Sequence, residues 1–212
     1  MPQYISDPAK IESESFEQIR ELVDLSRFNR EEQQIVMRMI HTCGLPSIVD
    51  HIKISENAVT AGLTAIKNQE SVICDVEMVK CSLTLRMMHQ EPECFINKAS
   101  VISQAKADNK TRSMVAVDAW KSHIKNSIVL IGNAPTALFR LLEVLQDGFP
   151  KPALVIATPV GFIGAAESKQ ELWANYEKLG IECITVEGTV GGSAIAASAM
   201  NALLRIEQDI YL

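Results

Sequence analysis

The sequence predicts an α/β fold: a three-layer α/β/α sandwich of the doubly wound type around a mostly parallel sheet. Three observations carry this expectation. Three apolar runs at residues 127–131, 153–157 and 183–186 alternate with helical patterns at residues 135–145, 167–179 and 193–204. The runs are continuously apolar instead of alternating, the mark of parallel strands covered on both faces. Each run also enters its helix through a joint of glycine or other small residues. With right-handed crossovers, all three joints fall on one edge, beyond the carboxyl ends of the strands, where such sheets bind ligands.

The preceding elements follow in chain order. A helix over residues 13–26 places Phe16, Ile19, Leu22 and Val23 on one stripe, with Glu14, Glu17 and Glu21 on the solvated side. A second helix spans residues 30–43, opened by Asn29 as N-cap with Glu32 as capping-box partner and closed by Gly44. A short strand over 51–54 leads to a helix over 56–67, for which Ser55 is the expected cap. Strands at 71–74 and 93–97, a brief helix through Met78, and helices over 100–106 and 113–121 complete the count. Asp75 and Glu77 are spaced i, i+2, which does not bring them together on a helix, so they are expected to cap or brace. The expected organisation is one domain over residues 1–212: a mainly helical part to residue 70, then alternating strands and helices from 71 to 206.

Composition narrows the function classes. Of the 212 residues, 47% are hydrophobic but only 5% aromatic, so the core must be aliphatic. Residues 1–17 are polar and acidic, without the basic and apolar regions of a signal peptide. The longest apolar stretch, residues 152–166, is interrupted by Thr158, Pro159 and two glycines and is too short to span a bilayer. A soluble, cytoplasmic protein with no membrane partner is expected. Five cysteines without a CxxC, and four histidines without ligand spacing, support neither a disulfide framework nor a metal site. A net charge of −6 with no basic stripe argues against nucleic acid. An anionic small molecule remains open, because a pocket needs only a few local cations, and Arg38, Arg86, Arg112 and Lys169 are available.

His41 is the leading candidate for chemistry. It falls in the last turn of the second helix, where the partial negative charge of the helix end favours imidazolium, a general acid near neutral pH. The alternative is a histidine that only bonds spare carbonyls. Cys43 is a poor nucleophilic partner, since residues two apart on a helix point in different directions. The three joints contain Gly132-Asn133-Ala134-Pro135, Gly161-Phe162-Ile163-Gly164 and Gly191-Gly192-Ser193. Glycine allows close approach of backbone to ligand, and helix N-termini favour anions. Together the joints could form a broad floor for a polyanion; singly, each reads as a tight turn. Neither GxGxxG nor GxxxxGK[ST] occurs. Arg112, at a loop-to-helix transition, could fork onto a carboxylate or be an ordinary surface residue.

These motifs, taken together, resemble the precorrin-8X methylmutases, including the cobalt-precorrin-8 branch. The resemblance rests on Ser15-Phe16, Arg38-Met-Ile-His41-Thr-Cys-Gly44, Cys74-Asp-Val-Glu-Met-Val79, Thr111-Arg-Ser113, Gly132-Asn-Ala-Pro-Thr-Ala-Leu138, Pro159-Val-Gly-Phe-Ile-Gly-Ala-Ala-Glu-Ser-Lys169, Gly191-Gly-Ser-Ala194 and Asn201-Ala-Leu203, in family order. It implies a flavodoxin-like sheet, a homodimer and an isomerase without an organic cofactor. That isomerase moves a methyl group to the adjacent carbon on pyrrole ring C by a 1,5-sigmatropic shift, giving hydrogenobyrinate or its cobalt form. It places the catalytic histidine at His41 and substrate contacts at Ser15, Thr84 and Arg112. Charge and placement add Arg38 and Lys169, and the glycine joints add Gly132, Asn133, Gly161, Gly191, Gly192 and Ser193. One departure is the loop before Gly-Gly-Ser, where many relatives carry arginines and this chain has Glu187 and Thr189. A non-catalytic corrinoid or tetrapyrrole carrier on the same fold is the second reading.

Overall fold

Six strands form one sheet at the centre of the fold, seen in a computed structural model that describes residues 4–212. They are β1 (Ile52–Ile54), β2 (Val72–Cys74), β3 (Glu93–Cys94), β4 (Ile128–Ile131), β5 (Leu154–Ala157) and β6 (Glu182–Val186), arranged β1-β6-β5-β4-β2-β3. All neighbouring pairs are parallel except β1 with β6. Without β1, the five parallel strands run in the order 2-1-3-4-5, the flavodoxin-like arrangement, whose direction of winding reverses between β2 and β4. The antiparallel edge strand sets Ile52 opposite Val186, so β1 starts where β6 ends, at the carboxyl rim.

Nine helices cover the sheet: α1 (Pro8–Leu22), α2 (Arg30–Cys43), α3 (Ala58–Lys67), α4 (Glu77–Cys81), α5 (Ala99–Ala107), α6 (Arg112–Asp118), α7 (Pro135–Gln146), α8 (Ala165–Leu179) and α9 (Ser193–Glu207), counted over the described residues. Successive strand residues serve opposite faces. Ile128, Leu130, Leu154, Ile156 and Ile184 join a core with α1, α2, α3 and α9. Val129, Ile131, Val155, Ala157 and Cys183 join a second core with α5 to α8. Alternate residues pointing to two separate apolar layers is why these strands read as unbroken apolar runs. The small face of α9, with Ala196, Ala197, Ala199 and Ala202 all buried, packs against α2 and α3; Gly62 of α3 meets Leu203 there.

Several local expectations are corrected. Helix α1 begins at Pro8, not at residue 13, because Asp7 accepts the Ala9 and Lys10 N–H groups and Pro8 occupies the first turn. Ser55 does not cap α3 through its side chain: its hydroxyl donates to Glu182 and accepts from the Cys183 N–H, tying the chain to β6. The strand expected over 93–97 stops at Cys94, because Phe95 turns into the second core and its carbonyl accepts from Lys98. Helix α2 is as expected: Asn29 and Glu32 form a reciprocal capping box and Gly44 closes the helix at φ 64°. No helix among the described residues is long and apolar enough to cross a membrane.

Candidate active site

The carboxyl rim of the sheet is closed by its own residues at the reversal point. Asp75 follows β2 directly and is fully buried. Its Oδ1 accepts from the Gly132 N–H at 3.1 Å, and its Oδ2 accepts from the Asn133 and Ala134 N–H groups at 3.0 Å each. Burial pushes the Asp75 carboxyl above its ordinary range, against the pull of these three donors. The expectation that Gly132 and Asn133 cradle a substrate anion through their backbone is therefore corrected: an internal carboxylate occupies those donors. Gly132 is needed for a different reason, since a Cβ there would sit 2.7 Å from the Ser193 Cα.

The other two joints are locked together. The Gly192 N–H donates to Thr158 O at 2.8 Å, the Thr158 hydroxyl returns to Gly192 O, and the Gly161 N–H reaches Thr189 O at 3.3 Å. A Cβ on Gly191 would lie 2.2 Å from Thr158 O, so only glycine permits this approach. Ser193 opens α9 and is buried beside Gly132. The lip over these joints is apolar: Phe162 and Ile163 are 95% and 91% exposed.

Lys169 does not reach this surface. Its side chain is wholly buried, and its Nζ donates to Val190 O at 2.7 Å, which corrects its assignment as a substrate cation. Burial pulls the Lys169 ammonium down from 10.5 to about 8. Below that value the amine is charged in both the folded and the unfolded chain. Between about 8 and 10.5 the unfolded chain binds more protons, so this residue makes folding stability rise with pH, by on the order of 3 kcal/mol across the window. Chemical denaturation at pH 7.5 and pH 10 should show this rise for the wild-type chain relative to Lys169→Met.

His41 stands in the last turn of α2, exposed, with its imidazole stacked on the buried Phe16 ring at a centroid separation of 5.0 Å and an interplanar angle of 28°. The Arg38 guanidinium, one turn earlier, lies 5.2 Å from the same ring. Arg38 was expected to meet substrate. Instead its Nη2 bonds Glu12 Oε1 at 3.0 Å, and Arg205 approaches that oxygen at 3.6 Å. The bond from Arg38 holds the Glu12 carboxyl below its ordinary value; partial burial opposes this, and the charges of Arg205, Arg38 and His41 add to the lowering. Ser15, beside Phe16, donates its hydroxyl to Ile11 O.

This cluster sits in the last two turns of α2, beside the last turn of α9, from which Arg205 reaches Glu12. The start of α2 meets the chain end beyond α9: Arg30 covers Tyr211, and Gln34 accepts from the Leu212 N–H. The two packed helices are thus antiparallel, and the end of α2 points towards the start of α9. From His41 the chain passes through Gly44, Leu45 and the 3-10 turn Pro46–His51 straight into β1, and His51 O accepts from the Glu187 N–H of the β6–α9 joint.

Arg112 opens α6, exposed, with its Nη1 3.4 Å from Asn97 Oδ1; the preceding Thr111 hydroxyl meets Thr136 in the first turn of α7, which fixes this corner to the β4 joint. A hollow of about 570 Å³ beside it is lined by Lys106, Lys110 and Arg112. Thr84 lies apart, behind α4, where its N–H donates to Asn201 Oδ1 of α9. The described residues contain no group of three metal-ligating side chains. Of the candidates, the fold therefore gathers Ser15, Arg38 and His41 around Phe16, and Gly132, Asn133, Gly161, Gly191, Gly192 and Ser193 at the rim. Arg112 stands at the edge of the rim and Thr84 outside both groups.

Residues 10–206 match the family model described as precorrin-8X methylmutase. The chain belongs to the precorrin-8X methylmutase family. It is 42% identical to the precorrin-8X methylmutase of Pseudomonas aeruginosa, over 96% of this chain and 98% of the relative. It is 36% identical to the cobalt-precorrin-8 methylmutase of Priestia megaterium, over 92% and 87%. Among solved structures, the precorrin-8X methylmutase of Thermus thermophilus superposes with a TM-score of 0.84 at 32% identity, covering 95% of this chain and 97% of the other. Relatives in this methylmutase family carry names from both the metal-free and the cobalt branch, so family membership makes the chain an isomerase of cobalamin biosynthesis acting on a corrinoid precursor and leaves both branches open.

Sequence reasoning gave Asp75 its bracing role but missed most of what organises this methylmutase site from behind. The Asp75 carboxylate and its three donors are 57 to 59 positions apart, with no local signature to name its partners. Phe16 was read as one member of an apolar stripe, which does not distinguish the residue that carries the histidine from its neighbours. The Glu12–Arg38 pair crosses two helices and was equally invisible. Thr158 was noted only as a break in an apolar run.

Proposed function

We propose that this chain catalyses the migration of a methyl group to the neighbouring carbon of pyrrole ring C in a precorrin-8-type macrocycle, with His41 as proton donor and acceptor. The observation that carries this reading is the placement of His41: an exposed imidazole, stacked on Phe16, in the last turn of α2. Protonating a ring nitrogen of the conjugated substrate withdraws electron density and lowers the barrier to a 1,5-sigmatropic shift; a positioned acid contributes about 10²–10⁴-fold. The shift moves the methyl group within one molecule, so atoms and electrons balance without an external donor or acceptor.

The substrate carries many carboxylates. Arg112, with Lys106 and Lys110, offers cations at one edge of the rim, and Gly191 and Ser193 offer backbone N–H groups at the other, beside Gly161 and Gly192, whose N–H groups are taken by Thr189 O and Thr158 O. Ser15, next to Phe16, and Thr84 are further proposed contacts. The exposed lip of Val160, Phe162 and Ile163 suits the flat apolar faces of a macrocycle or a second copy of the chain, and a homodimer in the cytoplasm is part of this reading.

The test is conversion. Purified protein mixed with precorrin-8X should yield the orange hydrogenobyrinate chromophore, followed by absorbance. Tight retention of the product with no spectral conversion of the substrate would favour a corrinoid carrier and reject the enzyme.

A further inference from the structure

A wholly buried lysine is an unusual component of a protein interior, because its charge is desolvated unless a carboxylate faces it. Among the described residues no carboxylate forms an ion pair with Lys169. Its hydrogen bond goes to a backbone carbonyl, that of Val190, in the middle of the β6–α9 joint. The rest of this joint is already tied down by backbone: Glu187 to His51, Thr189 to Gly161 and Gly192 to Thr158. Between the ties at Thr189 and Gly192, the Val190–Gly191 peptide has no backbone partner among the described residues, and it is the one the lysine reaches from beneath.

A trans peptide bond is planar, and its C=O and the following N–H point in opposite directions. With the Val190 carbonyl turned inward onto Lys169, the Gly191 N–H is turned outward. Gly191 is only half-buried, and its N–H donates to no acceptor among the described residues. It lies next to the start of α9, whose first N–H groups are also without partners inside the helix. An apolar residue at position 169 would fill the space but leave the Val190 carbonyl unbonded, and the peptide could then rotate.

We propose that Lys169 is a positioning residue: its ammonium holds the Val190–Gly191 peptide with the carbonyl inward, so that the Gly191 N–H is presented on the rim as a donor to a substrate carboxylate. This rests on the corrinoid reading for the identity of the ligand, and on the structure alone for the pin. It also gives the β6–α9 joint an anion contact that does not depend on an arginine, in a chain that has Glu187 and Thr189 there.

The experiment compares the wild-type chain with Lys169→Met, which keeps the length of the side chain and removes the donor. Hydrogen exchange of residues 187–192 without ligand should accelerate about tenfold or more in the variant, the worth of one hydrogen bond to a charged group. The KM for precorrin-8X and the Kd for hydrogenobyrinate should rise about tenfold, with kcat changed less than about threefold, the pattern of lost uniform binding. Lys169→Gln, with a shorter donor, carries the same comparison should the methionine variant fail to fold. Exchange equal to wild type in the folded variant, or a fall in kcat at unchanged KM, overturns the proposal. Failure of wild-type protein to bind hydrogenobyrinate would instead reject the corrinoid reading, while ligand-free exchange still decides whether Lys169 pins the joint.

Discussion

Replacing His41 with alanine is expected to reduce kcat for precorrin-8X by about 10²–10⁴-fold. The fold should survive, because the imidazole is exposed and its main protein contact is one face of Phe16. Removing a stacked ring from such a position withdraws about 0.5–1.5 kcal/mol of aromatic contact, a small part of the stability of a chain this size. His41→Phe separates the two roles of the ring. Phenylalanine can still stack on Phe16 but can neither give nor take a proton, so it should be as slow as alanine. Binding of hydrogenobyrinate should weaken far less than turnover in both variants, since proton transfer is felt in the transition state and not in product binding. A kcat within about threefold of wild type in either variant would remove the acid–base role from His41.

The expected result also depends on the surroundings of His41. Arg38 and Glu12 share the Phe16 platform with it, and Arg205 joins them from α9. The Glu12 carboxylate offsets one of the two arginine charges. The ion pair of Arg38 with Glu12 ties α1 to α2 beneath the Phe16 ring on which His41 stacks.

The layers and the parallel strands were legible because their signals are local. The runs at β4, β5 and β6 are continuously apolar, and Asn29 and Glu32 carry the start of α2 in a reciprocal capping box while left-handed Gly44 carries its stop. What was not legible depends on contacts between distant parts of the chain. β1 is three residues long and could have paired in either direction; only its position beside β6 makes it antiparallel. Asp7-Pro8 is a strong helix start, but it opens a stretch so polar that apolar spacing first emerges at Phe16. Lys169 was counted as an available cation from its charge, and nothing in Ala-Glu-Ser-Lys-Gln indicates that the lysine faces inward. Position on α8 decides it: Ala165, Ser168, Lys169 and Leu172 form the buried face at spacings of three and four.

Asp75→Ala is expected to be the most destabilising single change outside the apolar core. The carboxylate is buried, and its removal leaves the N–H groups of Gly132, Asn133 and Ala134 without their acceptor at the start of α7. Each unsatisfied buried donor costs about 1–3 kcal/mol, so three give a loss of roughly 3–9 kcal/mol, less where water replaces an oxygen, above all at the exposed Asn133. For a chain of about 200 residues this lowers Tm by about 10 °C or more. Asp75→Asn should lie between the two, because one oxygen remains to accept while the new amide faces a donor. Urea denaturation followed by circular dichroism measures all three chains, and an Asp75→Ala chain within about 1 kcal/mol of wild type would mean that the three donors find other acceptors. The consequence for the site is as direct as that for the fold. Asp75 holds the β4 joint where Gly132 meets Ser193, so its loss should loosen the start of α9 and weaken corrinoid binding even where the protein stays folded. A folded Asp75→Ala chain with unchanged KM would show that the Asp75 brace matters for stability alone.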